Sequence, residues 1–85
     1  AMATASALAN ESGQYARAAK YAKKGLAVDP NREDICRALM IAQIELGMRS
    51  AALEAFHECK TSLSEELGLD PSEELQRVYL RALGD

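Results

Sequence analysis

Apolar side chains recur along this chain at steps of three and four, the spacing that lines one face of an α-helix, with no strand-like alternation. Tyr15, Ala18, Ala22, Gly25 and Leu26 share a face of the second such segment. Ala52, Phe56, Cys59, Leu63 and Leu67 share a face of the fourth, and Leu75, Val78, Tyr79 and Ala82 a face of the fifth. Gly13, Gly47 and Gly68 each end a periodic stretch, where a left-handed residue closes a helix. Asp29-Pro30-Asn31 and Asp70-Pro71-Ser72 each precede a new one. The pattern predicts five helices, at about 3–12, 14–28, 32–46, 49–67 and 71–83. At the last junction Asp70 is expected to cap, with Pro71 in the first helical position and Glu73 completing the turn. Leu69 is expected to fold back on Leu63.

The segments repeat. GQYARAAKYAKKG at 13–25 overlays GMRSAALEAFHEC at 47–59 with a shift of 34 residues, placing Gly13 on Gly47, Ala18 on Ala52, Ala22 on Phe56 and Gly25 on Cys59. Small residues thus recur where paired helices come close. This period resembles the tetratricopeptide repeat, although Cys36 stands in the usual tryptophan slot and the first helix lacks large residues. The resemblance implies an all-α fold: a TPR-like α-α superhelix of two helix-turn-helix repeats plus a C-terminal capping helix. The division is repeat 1 at about 1–31, repeat 2 at about 32–67 and the cap at 71–83.

The end of the chain narrows the resemblance. The extended helix, the turn Glu66-Leu67-Gly68-Leu69-Asp70-Pro71-Ser72, then Glu74, Tyr79 and Leu83 are similar to the bacterial transcriptional activator domain of SARP-type regulators. That implies a module for protein contacts and dimerisation, with DNA read by a winged-helix domain elsewhere in the parent chain. The alternative is a general repeat adaptor gripping a peptide or helix of a partner protein. Ala1-Met2 reads as a remnant before a native segment, which makes the chain a fragment of a longer regulator.

Composition agrees with a small helical domain. Of 85 residues, 48% are hydrophobic, alanine is frequent and β-branched residues are scarce. The longest apolar run, ALMIA at 38–42, falls far short of the ~20 residues of a membrane span. No signal peptide is visible, and two cysteines without one read as reduced thiols of a cytoplasmic protein. The net charge of −3 hides a split, with residues 1–32 carrying +3 and residues 33–85 carrying −6. The acidic part disfavours direct binding of nucleic acid, which needs clustered positive charge. Opposite-sign ends instead help copies or partner domains meet.

Reaction chemistry finds no support. Cys36, His57 and Cys59 are the only soft metal ligands. His57 and Cys59 point to opposite sides of one helix, so both cysteines are expected in the core and His57 in solvent. Glu73 and Glu74 suit a helix N-terminus, and no phosphate loop or nucleophile set accompanies them. Neither enzyme activity nor a cofactor is expected.

Surfaces are the candidates. Cys36, Leu39 and Met40 are expected inward, leaving Arg37, Ile41 and Ile44 to line a groove for a partner. In the last helix Leu80 and Leu83 lie off the buried stripe and form a candidate dimer or interdomain edge. Arg17, Lys20 and Lys24 share a face as a candidate basic docking surface.

Overall fold

The computed structural model describes residues 2–84, and Ala1, part of the remnant read above, lies outside the described residues along with Asp85. All regular structure among those residues is helical: α1 (Met2–Glu11), α2 (Tyr15–Val28), α3 (Glu33–Glu45), α4 (Arg49–Ser62), a π-helical turn (Leu63–Leu67) and α5 (Glu73–Ala82). α3 packs against all four other helices, α2 sits between α1 and α3, and α4 sits between α3 and α5. The molecule measures 34 × 31 × 18 Å. Its short dimension accommodates two layers of helices each about 10 Å across. The row α1, α3, α5 forms one layer, and α2 and α4 the other.

Helix packing here rests on small residues. Ala9, Ala18 and Ala42 make a side cluster of alanines where α1, α2 and α3 meet. Gly25 is buried, and a Cβ built on it would stand 2.9 Å from both Ile35 Cδ1 and Met2 Cβ. The main core carries the larger groups: Met40, Leu63 and Leu75 are fully buried, with Phe56, Leu39 and Ile35 beside them. Each such side chain contributes about 1.5–3 kcal/mol relative to exposure.

Cys36 and Cys59 both lie in this core as free thiols. The neighbouring Cys59 thiol, together with burial, pushes the Cys36 thiol above its ordinary range. Cys36 Sγ also lies 3.7 Å from the Ala55 carbonyl oxygen.

Gly13, Gly47 and Gly68 take φ of +73°, +76° and +65°, the left-handed conformation expected where the chain leaves a helix. Two expectations at the α4–α5 corner change. The helix over 49–67 keeps α-geometry only to Ser62 and then widens into the π-turn. Leu63 is buried, whereas Leu67 is 53% exposed. Gly68 N–H bonds to Ser64 O at 3.1 Å and Leu69 N–H to Leu63 O at 3.2 Å, closing the turn.

The second change concerns the cap. Ser72, not Asp70, caps α5, its hydroxyl accepting from the Leu75 N–H at 3.3 Å. Pro71 thus stands outside the helix, buried, with its carbonyl accepting from Gln76 Nε2 at 2.9 Å. The cause is tertiary: Glu33 Oε1, on α3, accepts the Ser72 N–H at 2.9 Å and holds the chain extended there. A parallel latch sits nearby. Ser62 Oγ lies 2.7 Å from Asn31 Oδ1 and 2.8 Å from Glu66 Oε2, joining the α2–α3 corner to the π-turn.

At the start of α3, Arg32 grips Asp34 through two bonds of 3.0 and 2.7 Å. The hydrogen bond from Arg32 holds the Asp34 carboxyl below its ordinary range. A carboxylate so shifted stabilises the fold above its unfolded pKa, and the effect is lost as pH falls through the folded value. The pair is more than a third exposed, so solvent screening keeps the effect small.

Three outcomes test this description. Gly25→Val should lower the urea midpoint by an amount equal to about 1–3 kcal/mol, through overpacking against Ile35 and Met2. Ser72→Ala should cost about 1 kcal/mol by the same measurement. Asp34→Asn should destabilise slightly at neutral pH, and its difference from the unsubstituted chain should vanish in acid.

Candidate interaction surfaces

The layer α1–α3–α5 presents a shallow groove between α1 and α3. Arg37 and Ile41 line it from α3, and Leu8 and Asn10 from α1. Arg37 is exposed and Ile41 half-buried. The expected third member, Ile44, does not line this groove. It is half-buried and, like Ile41, packs against the main core. Cys36, Leu39 and Met40 are buried as expected.

Asn10 and Leu8 were not predicted by the pattern. Asn10 Nδ2 donates to the Ala38 carbonyl at 3.1 Å, clamping α1 to α3. Among the described residues its Oδ1 is buried without a hydrogen-bond partner, as is Gln43 Oε1 on the other side of α3. Nothing in the helical periodicity marks either amide, since a polar residue at a buried position reads from sequence only as a break in the stripe.

A second depression lies between α4 and α5. Its floor is aromatic: Tyr79, half-buried, stacks on Phe56 with ring centroids 4.2 Å apart and an interplanar angle of 23°. His57 meets the Phe56 and Tyr79 rings edge-on at 5.7 Å. Lys60 and Leu80 stand at the rim. Leu80 is 50% and Leu83 53% exposed, so both leucines of the predicted edge face outward from α5. Arg81 reaches back to Glu45 at 3.2 Å and fixes the end of α5 against α3.

The basic residues Arg17, Lys20 and Lys24 are exposed on α2, joined by Lys23, and the helix holds no acidic side chain. α2 and α4 flank a third groove, walled by Lys23 on one side and Glu54 and Glu58 on the other. The two cysteines and His57 do not converge, since the thiols are in the core and the imidazole is at the surface. Among the described residues, no helix is long and apolar enough to cross a membrane.

Comparison with known proteins follows the same lines. Residues 1–83 match the family described as bacterial transcriptional activator domain. The transcriptional regulatory protein MoaR1 of Mycobacterium bovis and that of Mycobacterium tuberculosis are each 34% identical over 58 residues. Those residues make up 68% of this chain and 19% of either relative, so the chain spans only a small part of their length. No solved structure matches the chain. A family match along nearly the whole sequence, on a chain that is helical throughout its regular structure, decides the assignment: the protein belongs to the bacterial transcriptional activator domain family.

Proposed function

We propose that this chain is the protein-interaction and dimerisation module of a bacterial transcriptional regulator, with DNA read by another domain. The observation that carries the reading is the pair Leu80 and Leu83, each about half exposed on a helix whose other large apolar groups are packed. Apolar side chains presented this way beside a cleft suit a protein partner. The coverage of MoaR1 is consistent with this division of labour, since most of that regulator's length lies outside the shared segment.

The helices fall naturally into two hairpins and a cap: α1–α2, α3–α4 and then α5. We read these as two TPR-like repeats in a single domain, closed by α5 over the end of the second. The α1–α3 groove with Arg37 and Ile41 then lies on the face that repeat proteins use for partners. An adaptor that grips a peptide remains the second reading, favoured by the Asn10 amide at the same groove. Direct nucleic-acid binding is not part of the proposal, because the basic side chains of α2 have the acidic ridge of α4 beside them.

Leu80→Glu/Leu83→Glu in the full-length regulator tests the principal reading. The double variant should retain its helicity by circular dichroism and its affinity for promoter DNA. Transcription from a reporter should fall by about tenfold or more, the loss expected when roughly 1.4 kcal/mol of contact energy is removed. Undiminished transcription would rule out the α5 edge as the functional contact.

A further inference from the structure

The internal repeat contains an inversion of charge. Under the 34-residue shift that overlays α2 on α4, Lys20 falls on Glu54 and Lys24 on Glu58. All four side chains are exposed. Glu65 is exposed further along the chain in the π-turn, while Lys60 turns away to the α4–α5 cleft. Among the described residues, none of Lys20, Lys24, Glu54, Glu58 and Glu65 is ion-paired. The outer layer thus carries a basic row and an acidic row side by side, on two helices of 14 residues each.

We propose that this outer face binds a second copy of the chain, about a twofold axis that lies in the interface and runs parallel to α2 and α4. That rotation sets α2 of each copy over α4 of the other, and it does so twice. Lys20 faces Glu54 of the partner subunit, and Lys24 faces Glu58 of the partner subunit. Both pairs stay in step, because each row advances by four residues, about 6 Å along the helix. An axis perpendicular to the helices would instead oppose lysine to lysine. The arrangement closes on itself as a dimer and leaves no free end for a filament.

Charge complementarity selects this occupant over others. A phosphate backbone would be attracted to α2 and repelled by Glu54, Glu58 and Glu65 beside it. An acidic partner helix would satisfy one row only. A surface with both signs in inverted order satisfies both, and the chain itself supplies one. The inference rests on the reading that the module self-associates, and it names the surface that does so.

Sedimentation velocity on the 85-residue chain tests it, run at about 20 mM and about 500 mM salt, where the screening length falls from roughly 20 Å to a few ångströms. The unsubstituted chain should be dimeric at low salt and dissociate at high salt. Lys20→Glu/Lys24→Glu alone and Glu54→Lys/Glu58→Lys alone should each be monomeric, with helicity unchanged by circular dichroism. An equimolar mixture of the two should dimerise again, since each acidic row then meets a basic one. A mixture that stays monomeric overturns the proposal, as does a single variant that stays dimeric. A dimer insensitive to these reversals but dissolved by Leu80→Glu/Leu83→Glu overturns the outer face and leaves self-association standing. A chain monomeric at low salt removes self-association altogether and leaves the transcription result to stand alone.

Discussion

The structure depends on one constraint: a single helix, α3, must be surrounded by four others in a chain of 85 residues. Helix axes come close enough for this only where the facing residues are small. Gly25 stands where any side chain would strike Ile35, and Ala9, Ala18 and Ala42 let α1, α2 and α3 meet. The larger groups, Met40, Phe56, Leu63 and Leu75, then fill the remaining space toward α4 and α5. A domain of this size buries a modest share of its surface, so it cannot leave such a core incompletely packed.

The same packing determines what remains outside. With Cys36, Leu39 and Met40 committed inward, the strip of α3 bearing Arg37 and Ile41 is left along the groove with α1. The two thiols are held within the core as small apolar groups. At the other end the corner before α5 is fixed by contacts distant in sequence, Glu33 with Ser72 and Asn31 with Ser62. Those latches set the direction of α5, and with it the outward placement of Leu80 and Leu83. Membership of the transcriptional activator domain family fits a molecule whose distinctive features are surfaces.

The internal sequence overlay pairs exposed positions of opposite charge. Lys20 and Glu54 are both exposed, so they can differ in charge without disturbing the core beneath them. Ala18 and Ala52 occupy equivalent buried sites and keep the same small side chain. Constraint lies on the inner side of α2 and α4, and freedom on the outer side.

Much of this was legible in the linear pattern. Steps of three and four located all five helices, and the three turn glycines marked their ends, because helical periodicity and left-handed closure are local consequences of backbone sterics. Arg37, Leu80 and Leu83 could be placed at the surface for the same reason: they fall off the apolar stripes. Other features needed the assembled molecule. The transfer of the α5 cap from Asp70 to Ser72 and the clamp of Asn10 on Ala38 involve groups from distant segments. Sequence by itself determined which residues form helices and which side of each is apolar, since both follow from neighbours within a turn or two. Tertiary structure alone decided how α5 is capped and which half-buried side chains reach a groove, because those outcomes are set by what another helix brings within hydrogen-bonding or van der Waals distance.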